Sequence, residues 1–313
     1  MSGTSAGQTP LQQHPGLAAW AGVDQFWLKR EDLNPTGSHK DRGAVEQVRG
    51  CLERGERVAV ISSSGNAALA AGTEGAARGV QVIALLSPQT EPAKTMAIAA
   101  AGARVVVTTK PINYTIRLSR VCGWPDLRPS QSADALRGFR TLGDELAAEL
   151  EDGVGVVGYA SSGTTYEAVA DALAAAGRRL PLHPVQAGLV NGLSREFGRP
   201  GDGRRSLVGD LGVKHTARGE RVVAQVRESG GQAWWVDDGA TREAGAALSG
   251  AGFAVAPECW AALAGLRTAA RTAGLRRACL LLTGRALPAA AAEEPRPTLE
   301  TFAAVLESVA DLR

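Results

Sequence analysis

A lysine between a histidine and an aspartate, in the stretch NPTGSHKDRG (residues 34–43), is the first candidate for chemistry in this chain. Turn-forming residues precede this lysine, Lys40, and the apolar residues that follow recur at helical spacing. The pattern therefore predicts that Lys40 lies in the first turn of a helix. The positive end of the helix dipole opposes a cation and could lower the pKa of the amine, as a nucleophile requires. A solvated lysine at a helix start explains the stretch equally well.

A second candidate is the stretch SSSGNAA (residues 62–68), which follows a predicted strand and opens a predicted helix. Hydroxyl groups and the exposed N–H groups of a helix start together form a receptor for a small anion such as a carboxylate. The residues that would supply it are Ser62, Ser63, Ser64 and Gly65. An ordinary helix cap is the structural alternative.

A third candidate, ASSGTT (residues 160–165), also lies between a strand and a helix. It offers hydroxyls and helix N-terminal amides without a lysine, which suits a phosphate monoester bound by neutral donors. The donors would come from Ser161, Ser162, Gly163, Thr164 and Thr165. The preceding GVGVVG (residues 153–158) matches a dinucleotide-binding pattern, but its valines belong to the strand itself, so we reject nicotinamide binding.

A fourth candidate is Thr283, at the end of the apolar stretch LLLTG. A hydroxyl there could contact a buried ring nitrogen, or it could simply cap a turn. The four features together fit a phosphate-bearing aromatic aldehyde joined to Lys40 as a Schiff base, with its phosphate on residues 161–165 and its ring nitrogen near Thr283. That cofactor is pyridoxal 5′-phosphate.

The elements that must position these residues alternate between strands and helices. Short β-branched runs separated by Ala-rich helical stretches begin at Arg57 and predict βαβ units on a buried parallel sheet. Helical spacing returns at residues 135–150, and a second α/β run follows this stretch. Two α/β lobes with a cleft between them are the expected architecture. We predict irregular structure for residues 110–132, which contain three prolines, and a surface loop for residues 192–206.

Composition limits the kind of protein and partner. The chain has 313 residues, 44% of them hydrophobic, and its 34 basic and 32 acidic residues give a net charge of +2. Because the basic residues are scattered, we expect small-molecule partners and no nucleic-acid or membrane partner. The four cysteines lie far apart without a CxxC pair, which predicts buried thiols and no zinc site. No leader or long apolar segment is evident, so a cytoplasmic protein is expected.

Several motifs, in this order, resemble those of fold-type II pyridoxal-phosphate enzymes, and threonine synthases most of all. They extend from about Phe26 to Arg285 and read KREDLNPTGSHKDRG, SSSGNAA, SSGTT, LRGFRTLGDEL, APECWAALAGL and LLTG. The first motif also resembles that of the tryptophan synthase β subunit. The resemblance implies two α/β lobes with mostly parallel sheets and the cofactor in the cleft between them. It implies a catalytic region at 26–290, with a smaller mobile lobe at about 45–145, and an N-terminal extension at 1–25.

The resemblance also implies roles for individual residues. Lys40 would be the Schiff-base lysine and the general base, and Asn66 would hydrogen-bond the phenolic oxygen of the cofactor. Residues 161–165 would bind the phosphate, and Thr283 would face the pyridine nitrogen. A neutral hydroxyl there makes the ring a milder electron sink than a carboxylate would, which favours elimination of a leaving group. Residues 62–65 would bind the carboxylate of the substrate.

The expected function is that of a lyase or synthase acting on an amino acid with a leaving group, phosphate by preference, at the β or γ carbon. A leaving phosphate needs nearby donors, and the candidates are Lys29, Arg30, Arg42 and Arg140, with Ser38 and Thr36 as hydroxyl donors. A surface salt bridge explains any one of the four cations equally well. The alternatives are a serine/threonine dehydratase-type ammonia-lyase, an O-acetylserine or O-phosphoserine β-replacement enzyme and, more remotely, a binding protein without catalysis. The sequence leaves the oligomeric state open, with a homodimer as one option.

Overall fold

The structure is a computed structural model that describes residues 6–209, 218–286 and 296–312. The described chain divides into two compact units. Unit 1 contains residues 6, 40–138 and 296–312, and unit 2 contains residues 7–39, 139–209 and 218–286. Residue 290, the predicted end of the catalytic region, and residues 1–5 of the predicted extension lie outside the described residues. The predicted domain bounds and cleft remain predictions.

The secondary structure alternates between strands and helices along most of the chain. The strands are β1 (Leu11–Gln13), β2 (Gln25–Lys29), β3 (Val58–Ile61), β4 (Gln81–Leu86), β5 (Arg104–Thr108), β6 (Gly155–Tyr159), β7 (Leu182–Ala187), β8 (Trp234–Val236), β9 (Arg277–Leu281) and β10 (Thr298–Leu299). The helices are α1 (Pro15–Ala21), α2 (Lys40–Glu53), α3 (Asn66–Arg78), α4 (Pro92–Ala100), α5 (Pro111–Cys122), α6 (Ala133–Glu149), α7 (Thr164–Ala175), α8 (Gly192–Arg195), α9 (Gly219–Glu228), α10 (Asp238–Gly250), α11 (Pro257–Ala273) and α12 (Phe302–Glu307). Short 3-10 helices lie at Glu31–Leu33, Pro129–Gln131 and Ala310–Leu312.

Unit 1 is built on a four-stranded sheet in the order β10-β5-β4-β3, and its strand pairs are all parallel. Successive residues of a strand point to opposite faces, so each face collects its own apolar cluster. Along β3, Ile61 packs with apolar residues of α2, α3 and α4, whereas Val60 packs with residues of α5 and α12. The sheet is therefore covered on both faces, as a parallel sheet requires.

Unit 2 is built on a six-stranded sheet in the order β1-β2-β9-β6-β7-β8. Only the edge pair of β1 and β2 is antiparallel, and the other pairs are parallel. Helices α1, α10 and α11 supply the apolar cluster on one face, and α6, α7 and α9 supply the cluster on the other. Because the strands are parallel, the loops that follow β2, β9 and β6 leave the sheet at the same edge.

The predicted irregular segment at residues 110–132 is wrong over its first half. Helix α5 occupies Pro111–Cys122, with Pro111 in its first turn, where proline needs no N–H partner. Its buried residues are Tyr114, Thr115 and Leu118, a helical spacing that the prolines obscured. The predicted surface loop at 192–206 also begins with the one-turn helix α8, and the rest of it has no helix or strand.

The cysteines are free thiols, and burial is confirmed for Cys51, Cys259 and Cys279 but not for Cys122, which is partly exposed. Among the described residues, no helix combines the length and apolar character that a bilayer span needs. The same residues contain no group of three or more His, Cys, Asp or Glu side chains arranged to hold a metal ion.

Candidate functional site

Lys40 is the first residue of α2, which confirms its predicted place at a helix start. The helix is anchored in unit 1 by a buried face that includes Ala44, Val48 and Cys51. Lys40 itself is neither buried nor fully exposed. A rigid helix therefore carries this amine, which a nucleophilic or basic lysine requires.

The 62–66 loop follows β3 at the carboxyl edge of the sheet of unit 1 and opens α3 at Asn66. Gly65 is the N-cap of the helix and supplies no side-chain hydrogen bond, so backbone N–H groups of the first turn remain able to bind a ligand. The Ser63 hydroxyl accepts a hydrogen bond from the Gly65 N–H at 3.3 Å. The Ser62 hydroxyl is buried and has no hydrogen-bond partner among the described residues. Such an orphaned hydroxyl beside free helix amides fits a carboxylate.

The 161–165 loop in unit 2 connects β6 to α7, with Gly163 as the N-cap of that helix. Gly163 has φ = 81°, a left-handed conformation that glycine adopts without strain. The Ser162 and Thr164 hydroxyls lie 2.9 Å apart. The loop offers hydroxyls and the first amides of a 12-residue helix, and it contains no acidic side chain. These groups fit a phosphate monoester.

Thr283 lies two residues beyond β9 and is 4% exposed. Its carbonyl accepts a hydrogen bond from the His39 N–H at 3.1 Å, and His39 Nδ1 lies 2.9 Å from the same oxygen. Its hydroxyl lies 3.7 Å from the Cys259 Sγ. Burial raises the pKa of Cys259 to about 12, so this thiol stays neutral. The backbone of Thr283 is thus fixed, and within the described part of the chain its hydroxyl has only this thiol, a weak partner, as a neighbour. The hydroxyl is therefore able to bond a ring nitrogen.

The phosphate loop and Thr283 lie on neighbouring strands. Strands β6 and β9 pair in parallel, with Val157 opposite Leu280. Both loops start a few residues later at the same edge of the sheet, so unit 2 brings these two predicted groups together. Ser38 joins them, because it is fully buried and forms an antiparallel bridge with Gly284.

Two of the four predicted cations have structural partners instead. Lys29 is fully buried, and its Nζ contacts Glu145 at 2.8 Å, Glu149 at 2.7 Å and the Thr9 carbonyl at 2.8 Å. Arg30 binds Asp32 through two hydrogen bonds of 2.9 and 2.8 Å. The structure therefore favours the salt-bridge alternative for these two residues, and we do not propose them as ligands of a leaving phosphate.

The other two cations differ from each other. Arg42 is almost completely buried, at 2% exposed. Arg140, on α6, is partly exposed, and its guanidinium has no hydrogen-bond or ion-pair partner within the part of the chain that the structure describes. One turn later, a Cβ on Gly143 would lie 2.6 Å from the Ala172 Cβ, so α6 packs directly against α7 in unit 2. Among the described residues, Arg140 is therefore a cation without an ion-pair partner, and it lies on the helix that packs against the phosphate-loop helix.

Sequence reasoning missed side chains that support these loops. Gln186 donates to the Ala160 carbonyl at 3.2 Å, and its Oε1 accepts from the N–H groups of Leu193 and Ser194. The Tyr166 hydroxyl lies 3.1 Å from the Gly158 carbonyl. Cys259, beside Thr283, lies in the motif APECWAALAGL. Of these three supporting residues, it alone could have been found from a motif in the sequence.

The predicted site residues divide between the units. Unit 1 contains Lys40, Asn66 and the 62–65 loop, whereas unit 2 contains the phosphate loop, Thr283, Ser38 and Arg140. Apart from Ser38 and Arg140, the residues within each unit lie at strand ends and helix starts, as predicted. Their roles remain proposals.

The chain is similar in sequence to curated enzymes over part of its length. A curated threonine synthase from Methanosarcina acetivorans is 32% identical over 154 residues, which make up 46% of this chain and 37% of the relative. The biosynthetic, chloroplastic threonine dehydratase 1 of Solanum lycopersicum is 30% identical over 152 residues, or 47% of this chain and 25% of the relative. The matched segments thus span well under half the length of either relative.

Among solved structures, a T.th. threonine deaminase is 25% identical with a TM-score of 0.76, covering 91% of this chain and 94% of that chain. Maize serine racemase is 17% identical with a TM-score of 0.76, covering 98% of this chain and 92% of that chain, and it shares the fold. The fold is that of the fold-type II enzymes that use pyridoxal 5′-phosphate. The family description "Pyridoxal-phosphate dependent enzyme" matches residues 4–284, most of the chain. This chain therefore belongs to the family of pyridoxal-phosphate-dependent enzymes.

Proposed function

We propose that this protein is a threonine synthase-like lyase or synthase that acts on an amino acid carrying phosphate at its β or γ carbon. When bound, pyridoxal phosphate withdraws electrons from the α carbon, so that the α proton becomes acidic and a group further along the chain can leave. The residues of this chain would supply the binding, the proton transfer and the charge that such a reaction needs.

Unit 1 would supply the covalent anchor and the amino-acid receptor. Lys40 would attach the cofactor and, once its amine is free, carry the α proton on Nζ. The Asn66 amide would bond the phenolic oxygen of the cofactor. The Ser62 hydroxyl, which is buried and has no partner among the described residues, supports a carboxylate receptor in the 62–65 loop. Burial removes the hydrogen bond of such a hydroxyl to water, and a bound carboxylate would replace that bond.

Unit 2 would hold the two ends of the cofactor. Hydroxyls and helix amides of residues 161–165 would bind the phosphate, and the Thr283 hydroxyl would face the ring nitrogen. Both groups leave the sheet at one edge, on neighbouring strands, which supports their use by a single ligand.

The proposal that the leaving group is phosphate rests on the guanidinium of Arg140, which has no ion-pair partner among the described residues. A phosphate that leaves as a dianion needs charge-assisted hydrogen bonds, and Arg offers a planar fork of donors. Lys29 and Arg30 already pair with carboxylates, so Arg140 is the available cation among the described residues of unit 2 that the motifs single out. A dehydratase acting on unmodified serine or threonine would have no use for it.

Trapping the bound cofactor with borohydride tests the covalent anchor. Peptide mapping should find the pyridoxyl label on Lys40, and Lys40→Ala should remove both the label and turnover. A label on another lysine contradicts the assignment.

Kinetics of Arg140→Ala test the leaving group. We expect kcat/KM for O-phosphohomoserine or O-phosphoserine to fall about a hundredfold, which corresponds to a lost charged contact of about 3 kcal/mol, with cofactor affinity unchanged. Arg137→Ala is the matched control, since Arg137 lies on the same helix and pairs with Asp134. Equal loss of activity on phosphorylated and unphosphorylated substrates would make Arg140 a structural residue.

An ammonia-lyase that acts on serine or threonine is the second candidate, favoured by the likeness to threonine dehydratase and to threonine deaminase. Release of phosphate, ammonia and 2-oxo acid from a panel of phosphorylated, acylated and free amino acids separates the two. Faster release of ammonia and 2-oxo acid from threonine than of phosphate from any phosphorylated substrate would favour the ammonia-lyase. Acetate release from O-acetylserine that depends on an added nucleophile, without release of ammonia and 2-oxo acid, would point to β-replacement. Binding without turnover of any substrate would point to a binding protein.

A further inference from the structure

The helix that follows the phosphate loop carries a buried carboxylate in its first turn. Glu167 is the fourth residue of α7, is 5% exposed, and its N–H bonds the Gly163 carbonyl at 3.0 Å. Side chains of a helix tilt toward its N-terminus, so this carboxylate covers the turn that begins at Gly163. An anion there competes with a phosphate for the positive end of the helix dipole.

The loop itself cannot offset that charge. Residues 161–165 are Ser, Ser, Gly, Thr and Thr, so they bring no basic side chain to the phosphate. A phosphate monoester adds about 1.5 to 2 negative charges at neutral pH. With Glu167 uncompensated, two anions would lie near one helix N-terminus.

Arg218 supplies the compensation from 51 residues away. Its Nη1 lies 2.8 Å from Glu167 Oε2, and its side chain is 20% exposed. Its Nε is buried and has no hydrogen-bond partner among the described residues. Arg221 also approaches Glu167, at 3.3 Å, but its side chain is 60% exposed and binds Asp171 at 2.9 Å.

We infer that Arg218 is a positioning residue that neutralises Glu167 and so lets the N-terminus of α7 accept a phosphate group with neutral donors alone. The inference rests on the proposed position of the cofactor phosphate on residues 161–165. Arg218 does not contact the phosphate in this proposal but cancels the negative charge of Glu167 near it. Arg221, which is more exposed and shared with Asp171, has a minor part.

Titration of the cofactor-free full-length protein with pyridoxal phosphate tests this role. Arg218→Gln should weaken binding about tenfold, and Glu167→Gln should tighten it about threefold, as expected for a partly buried charge at a helix N-terminus. The double variant should return to within about threefold of the wild type, and Arg221→Gln, the matched control, should change affinity by less than about threefold. Pyridoxal, which lacks the phosphate, should bind wild type and Arg218→Gln within about twofold of each other.

The sign of the Glu167→Gln effect separates electrostatics from structure. A merely structural ion pair predicts that loss of either partner weakens binding, so weaker binding by Glu167→Gln would overturn the inference, even if Arg218→Gln fails to fold. Equal loss of affinity for pyridoxal and pyridoxal phosphate in Arg218→Gln would overturn it too. The proposed phosphate position fails separately, if Gly163→Asp leaves the affinity for pyridoxal phosphate unchanged.

Discussion

Substitution of Gly163 by aspartate places a negative charge at the N-cap of α7, where the cofactor phosphate is proposed to bind. At about 5 Å and an effective dielectric constant of about 20, each pair of unit charges costs about 3 kcal/mol. A phosphate with about 1.5 to 2 charges would then lose about 5 kcal/mol, which is more than a thousandfold in affinity. We therefore expect Gly163→Asp to bind no cofactor at micromolar concentrations.

Gly163→Asn is the matched control for backbone strain. Asn and Asp have similar size and both tolerate the left-handed conformation at φ = 81°, so any strain is shared and costs about 1 kcal/mol. The Asn variant should bind the cofactor within about tenfold of the wild type. Absorbance titration and equilibrium dialysis measure both affinities. If the Asp and Asn variants lose affinity equally, strain and bulk explain the loss, and the electrostatic reasoning is refuted.

Two further predictions concern the fold. Lys29→Met should lower the free energy of unfolding by about 3 kcal/mol, because it removes the fully buried cation that pairs with Glu145 and Glu149. Denaturant unfolding measures this, with Lys94→Met, whose surface pair should matter by about 0.5 kcal/mol, as the control. Burial raises the pKa of Cys259 and of Cys279 to about 12, so at pH 8 an alkylating reagent should label Cys122 first in the native protein. The pKa of each thiol is near 9.0 in the unfolded chain, so below pH 9 both states are protonated and the thiols do not affect thermal stability. Between pH 9 and 12 only the unfolded chain ionises, so thermal stability should fall. Alanine at both positions should reduce that fall.

Local patterns in the sequence predicted the α/β fold and the place of each chemical group within its own element. Lys40 at a helix start and the 62–65 and 161–165 loops between strand and helix were all predicted, because helical periodicity, β-branched runs and turn residues act over a few neighbouring positions. The same local reasoning failed at α5, where Pro111 was interpreted as a break although proline suits a first turn.

Only the tertiary structure decided which charged side chains are available. Lys29 and Arg140 are equally plausible cations in the sequence, yet Lys29 is closed off by Glu145 and Glu149, more than a hundred positions away, while Arg140 has no partner among the described residues. The pairing of Glu167 with Arg218 across 51 positions is likewise invisible to any local pattern. The physical reason is that a side chain's charge is a local property, whereas its neutralisation depends on which distant segments the packing of helices and sheets brings within about 4 Å.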